Sequence, residues 1–138
     1  MRILIDTNVI MDFLVRRGSF SGDAQKVIAL CMREDIQGAI AAHTIPNLFY
    51  ILRKHLSPEE RKDILLKLCK MFMVVGIDAG KLESALSNMA FRDFEDCLQL
   101  ECAKDFEADF LVTRNGKDFV GSAIPVLEPA ELIKRIEE

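Results

Sequence analysis

The feature that most constrains this chain is an alternation of two periodicities: short β-prone apolar runs separated by stretches whose apolar residues recur at helical spacing. Arg-Ile-Leu-Ile at residues 2–5 leads through Asp6-Thr7-Asn8 into an apolar helical stretch, Val9 to Val15, that includes Phe13 and Leu14. A loop rich in serine and glycine precedes a second helix, with Ala24, Val27, Ile28 and Cys31 at i, i+3, i+4 and i+7. Residues 39–42 form a second strand. The helix after it turns Ile45, Leu48, Phe49 and Leu52 inward and tolerates Pro46 in its first turn. Ser57-Pro58-Glu59-Glu60 is a helix start, with a serine cap, proline at the first helical position and glutamate placed to close a capping box. That helix buries Ile64, Leu65, Leu68, Cys69 and Phe72.

Residues 73–77 give a third strand and residues 80–90 a helix, and Asp93-Phe94-Glu95-Asp96 opens the next one. Residues 110–113 and 124–127 are the fourth and fifth strands. Pro129 starts a terminal helix with Leu132, Ile133 and Ile136 inward. Strands joined through helices need crossover connections, so the predicted class is α/β: a mainly parallel five-stranded sheet covered by helices on both faces, a three-layer α/β/α sandwich. At 138 residues, half of them hydrophobic, the chain suits one domain spanning residues 1–138. It shows no internal repeat, low-complexity segment or linker.

Several function classes are disfavoured at this level. No run approaches the ~18 apolar residues of a membrane span, and Met1 leads directly into a strand, so the expectation is a cytoplasmic protein without a membrane partner. Cys31, Cys69, Cys97 and Cys102 lie in helical apolar patterns without CxxC spacing and read as reduced core residues. His43 and His55 have no cysteine companions at zinc-finger spacing. The formal net charge of −4 provides no global field for nucleic acid. A cation held in an acidic pocket would reverse that sign locally.

Parallel sheets bind ligands beyond the carboxyl ends of their strands. Two segments stand there: Asp6-Thr7-Asn8 after the first strand, and Thr113 through Asp118 after the fourth. Asp6 suits a helix cap and a functional acid equally well, whereas the spacing of Asp93 to Asp96 favours capping. Glu95 reads as a solvent-facing neighbour. Asp6, Asp96 and Asp118 come from three distant segments that this topology brings to one end of the sheet. Clustered carboxylates call for a compensating cation, and hard oxygen donors suit Mg²⁺ or Mn²⁺. Such a site usually handles phosphate esters.

These residues resemble the PIN domains, small nucleases common as the toxin half of prokaryotic VapBC-type toxin–antitoxin pairs. The resemblance rests on Ile3-Leu4-Ile5-Asp6-Thr7-Asn8-Val9, on Asp93-Phe94-Glu95-Asp96 before a helix ending near Ala103, and on Thr113-Arg114-Asn115-Gly116-Lys117-Asp118-Phe119. It implies a sheet of order 3-2-1-4-5 and an Mg²⁺- or Mn²⁺-dependent ribonuclease, with Asp6, Asp96 and Asp118 as the metal-binding catalytic acids. Asn8, Asn115 and Thr113 match positions that orient acids or substrate. It further implies a cognate antitoxin and a homodimer. The family pattern expects an acid after the second strand, and this chain has Asn47 there, off the Ile45/Leu48/Phe49/Leu52 stripe.

For RNA contact the available cations are Arg16, Arg17, Arg53, Lys54, Arg114 and Lys117, the last two flanking the third motif. Lys54 reads as ordinary surface. Tyr50, one turn after Asn47, suits either base stacking at the rim or core packing. Two alternatives stand beside the nuclease. Asn47 favours a catalytically weakened RNA-binding or protein-interaction module on the same fold. A phosphoaspartyl phosphatase or receiver domain also places aspartate after a strand, but the phosphatase wants an acid where Asn8 stands, and the receiver a lysine after the fifth strand.

Overall fold

A computed structural model describes residues 1–16, 18–91 and 93–138. Its strands are β1 (Arg2–Ile5), β2 (Gln37–Ala41), β3 (Met73–Val75), β4 (Phe110–Val112) and β5 (Val126–Leu127). All pair in parallel, in the order β3-β2-β1-β4-β5. The described helices are α1 (Thr7–Val15), α2 (Phe20–Met32), α3 (Thr44–Ile51), α4 (Pro58–Met71), α5 (Ala79–Ser87), α6 (Phe94–Asp105) and α7 (Pro129–Glu137). A 3-10 turn, Gly116–Phe119, follows β4. The third and fifth strands are shorter than the sequence predicts, because only their first or last residues reach a pairing partner.

The strand pleat sorts side chains between two cores. Ile3, Ile5, Ile40 and Val112 face one layer, where they meet Val9 and Ile10 of α1, Val27 and Ile28 of α2, Leu48 of α3, Leu65 and Leu68 of α4, and Leu132 of α7. Leu4, Ala39, Ala41 and Leu111 face the other, against Cys102 and Ala103 of α6. The alanines of β2 let α6 lie close to the sheet. Consequently α6 is buried nearly all round, including Cys97, Leu98, Gln99, Leu100, Cys102 and Ala103.

The capping box at α4 forms as its sequence requires: the Ser57 hydroxyl accepts from the Glu60 amide at 3.2 Å, and the Ser57 amide donates back to the Glu60 carboxylate at 3.0 Å. Two core assignments differ from expectation. Cys69 is exposed while the other three cysteines are buried, since the buried stripe of α4 narrows to Leu65 and Leu68. Tyr50 is 63% exposed, with the Arg53 guanidinium 3.8 Å over its ring, so it packs on the surface rather than in the core. Among the described residues no helix is long and apolar enough to cross a membrane.

Gly38 marks the tightest seam of the larger core. A Cβ there would lie 2.8 Å from Cys31 Sγ and 3.1 Å from the Phe72 ring, distances real side chains do not tolerate. Gly38→Ala should therefore destabilise the fold by about 1–3 kcal/mol through overpacking. Adding Cys31→Ala should restore part of that loss; equal urea midpoints for wild type and Gly38→Ala would contradict the packing described here.

Candidate active site

The polar site follows from strand register. Ile5 pairs with Val112, and the Asp6 amide donates to the Val112 carbonyl at 2.9 Å, extending the β1–β4 ladder by one step. The next residues, Asp6 and Thr113, emerge side by side where the strand order changes direction. Asp6 caps α1, its Oδ1 accepting from the Thr7 amide at 2.7 Å. Its Oδ2 accepts from the Thr113 hydroxyl at 2.7 Å and from Asn8 Nδ2 at 3.3 Å.

The direction of this network is fixed. The Thr113 hydroxyl accepts from two donor-only groups, Asn8 Nδ2 at 3.2 Å and the Asn115 amide at 3.1 Å, so its own proton must go to Asp6. Asn8 is oriented in turn by its Oδ1, which accepts from the Arg114 amide at 3.3 Å. Three donors thus reach Asp6. A carboxylate has about four lone-pair sites, which leaves Oδ1 able to accept one further partner.

Asp96 sits in the first turn of α6, and the Asp93 carboxylate caps that helix by accepting from the Asp96 amide at 3.0 Å. The capping role expected of Asp93 is the one it plays. Asp118 lies in the 3-10 turn, anchored from below by buried Phe119, whose ring meets Phe91 edge-on at 6.0 Å. Asp93, Asp96, Asp118 and Lys117 line an open cleft of about 360 Å³, walled by Phe91 and Val120. Glu95 is exposed, as its neighbours in sequence suggest.

The acids share one electrostatic field although they belong to three segments. Burial, chiefly, raises the proton affinity of Asp6, and Asp93 and Asp118 raise it further, against the hydrogen bonds from Thr113 and Thr7. Asp96 is pushed up to about 7, by partial burial first and then by Asp93, Asp6, Asp118 and Glu95. The donor chemistry fits a hard divalent cation, since every candidate ligand is a carboxylate oxygen and neighbouring charge raises the proton affinity of Asp6 and Asp96. Among the described residues, however, no three acidic, histidine or cysteine side chains stand close enough to form a coordination shell without moving. Exposed Asp118 and half-buried Asp96 are the side chains with room to do so.

The remaining predicted residues divide. Lys117 is the one cation among the described residues lining the cleft, and Asn115 stands exposed beside it. Arg114 turns away: its guanidinium pairs with Asp12, whose side chain is 1% exposed, with Nη2 at 3.3 Å from Oδ1, and lies 4.3 Å over the Phe20 ring. That pair fastens the loop after β4 to α1. Asn47 is half-buried on α3, one turn after Thr44. Arg53 is engaged with Tyr50, and Arg17 lies outside the described residues.

Sequence reasoning missed Asp12, Thr7, Thr44 and Gln99. The last three form a buried hydrogen-bonded group behind the acids. The available signal was polarity out of place: Asp12 within Val-Ile-Met-Asp-Phe-Leu-Val, and Gln99 within Cys-Leu-Gln-Leu.

A carboxyl with higher proton affinity folded than unfolded favours the fold while protonated. For Asp96 that contribution is complete below the unfolded range near ~4 and is lost as pH rises through about 7. In EDTA, Asp96→Asn should therefore melt a few degrees above wild type at pH 8, with the gap closing toward pH 4.5. A melting difference independent of pH would show that Asp96 does not titrate in this field.

Comparison with known proteins places these observations in a family. The family model for the PIN domain matches residues 2–117. No curated protein sequence matches the chain. Among solved structures, VapBC2 from Rickettsia felis, bound to a promoter DNA fragment, superposes with TM-score 0.67 at 18% identity, covering 93% of this chain and 98% of that one. A toxin–antitoxin complex from Klebsiella pneumoniae gives TM-score 0.68 at 23% identity over 92% and 97%. FitAcB from Neisseria gonorrhoeae gives 0.64 at 18% over 93% and 98%. At these identities the structures speak for the fold; with the family match over most of its length, this chain belongs to the PIN-domain family.

Proposed function

We propose that this protein is an Mg²⁺- or Mn²⁺-dependent endoribonuclease acting at the cleft between α6 and the turn after β4. The observation that carries this reading is the raised proton affinity of Asp6 and Asp96, to both of which the charge of Asp118 contributes, three acids from three segments gathered beyond one end of the sheet. Asp6, Asp96 and Asp118 would hold the cation, which when bound polarises a phosphoryl group and lowers the pKa of water.

The chain's own side chains do the rest. Thr113 and Asn8 both donate to Asp6 Oδ2 and hold its carboxylate in one orientation. The Asp93 cap fixes the backbone of Asp96. Lys117 offers a positive charge to the phosphate backbone at the cleft rim, with Asn115 as a neutral neighbour. Arg114 acts by anchoring the loop through Asp12 rather than by touching RNA.

A phosphoaspartyl mechanism fits poorly, because Asn8 stands where a phosphatase wants its second acid and no lysine follows the fifth strand before the last helix, where a receiver domain wants one. Asn47 supports the second reading, a weakened nuclease that binds RNA: it supplies a neutral oxygen where the family pattern has an acid.

We further infer an antitoxin partner. The fold relatives from Rickettsia felis and Klebsiella pneumoniae were solved as toxin–antitoxin complexes. A homodimer in the cytoplasm is part of the same reading. Expression of this chain alone should arrest growth, and co-expression of a small adjacent reading frame should relieve it. Growth unaffected by expression would count against the toxin role.

Purified protein should cut single-stranded RNA with Mn²⁺ or Mg²⁺ and stop with EDTA. Mn²⁺ should raise its melting temperature. Asp6→Asn should remove that rise and lower cleavage about 100-fold or more. Absence of both effects in ample Mn²⁺ would overturn the nuclease reading. Activity that emerges only in Asn47→Asp would establish the weakened module instead.

A further inference from the structure

Three of the elements that carry the candidate site meet at one buried side chain. Gln99 is 2% exposed and lies one turn beyond Asp96 on α6. Its Nε2 donates to Thr7 Oγ1 and to Thr44 Oγ1, each at 3.2 Å, and the two hydroxyls stand 3.0 Å apart. Thr7 follows Asp6 directly, and Thr44 precedes Asn47 by one helical turn. One amide therefore links the heads of α1, α3 and α6.

Stability does not account for this group. Gln99 Oε1 is buried without a hydrogen-bond partner. Unpaired buried polar atoms are costly, and buried ones in native proteins call for an explanation. A methionine of similar length would fill the space of Gln99 without an orphan oxygen, and the two threonine hydroxyls would still bond to each other.

We propose that Gln99 is a positioning residue: by fixing α6 against the first turns of α1 and α3, it holds Asp96 and Asp6 at the separation and orientation that one shared site requires. It touches no reacting atom, and the inference rests on the nuclease reading above.

The test compares wild type with Gln99→Met, Thr44→Val, their combination and Thr44→Ser. In EDTA, Gln99→Met should melt at or near the wild-type temperature, while amide resonances of residues 6–8 and 93–97 shift in a ¹⁵N spectrum. With Mn²⁺, half-saturation of the melting shift should require about 10-fold more metal, and kcat on single-stranded RNA should fall about 10-fold or more with KM little changed. The double variant should be no worse than the worse single one, since both break the same network, and Thr44→Ser should behave as wild type. A Gln99→Met protein with wild-type kcat and Mn²⁺ half-saturation, whatever its melting temperature, overturns the proposal. If the wild type itself neither gains stability from Mn²⁺ nor cuts RNA, the nuclease reading fails and this one falls with it. A competent wild type beside an indifferent Gln99→Met counts against Gln99 alone.

Discussion

The parallel pairing of β1 with β4 sets Ile5 opposite Val112, and the next residue on each strand, Asp6 and Thr113, leaves the sheet beside its counterpart. Every polar relation at this end of the molecule depends on that register. A slip of one residue would turn the strand over and put Ile5 or Thr7 where the acid stands. Because both strands are covered on two faces by apolar layers, such a slip would also invert Ile3, Leu4 and Ile5 between the two cores, so the register is enforced by the hydrophobic interior rather than by the site. The helices then use the same geometry. Asp6 begins α1, Thr44 begins α3, and Asp96 lies in the first turn of α6, all at the carboxyl end of the sheet.

This arrangement concentrates negative charge and, among the described residues, sets a single lysine against it. Asp93, Asp96 and Asp118 face one cleft with Lys117, and Asp6 feels two of them from its buried position. Arg114, the nearest additional cation in sequence, is spent on Asp12, an acid in the interior-facing side of α1 that would be costly to bury unpaired. The protein thus separates two electrostatic tasks: one arginine–aspartate pair secures the loop after β4, and among the described residues Lys117 is the one cation lining the cleft with the acids above it. A fold that tolerates such a penalty needs other sources of stability, which here are the apolar layers on both faces of the sheet and the capping of α4 and α6.

The architecture was legible because periodicity survives burial in this chain. Each helix on the α1 side keeps one apolar stripe, and the strand order followed once Asp6, Asp96 and Asp118 were matched to a family pattern. Local chemistry was legible where a motif is self-contained, as in Ser57-Pro58-Glu59-Glu60. What escaped were pairings between distant residues. Nothing in the sequence assigns Arg114 to Asp12 rather than to RNA, because the contact joins residues far apart through a loop whose path depends on β4. Tyr50 is equally ambiguous on a helix with apolar residues on several sides. Gln99 was hidden because α6 is buried nearly all round, which erases the amphipathic contrast that would have marked a polar residue as inward-facing.

Asn47 gains a physical meaning from this distribution of charge. It lies one turn after Thr44, which touches Thr7 beside Asp6, and on the nuclease reading proposed above a carboxylate at position 47 would add to four acids and one lysine among the described residues. Each added negative charge raises the proton affinity of the others and makes the metal-free fold less stable at neutral pH. An amide keeps an oxygen in place without adding to that repulsion. Affinity for a cation and stability without one therefore pull position 47 in opposite directions, and asparagine sits on the side of stability.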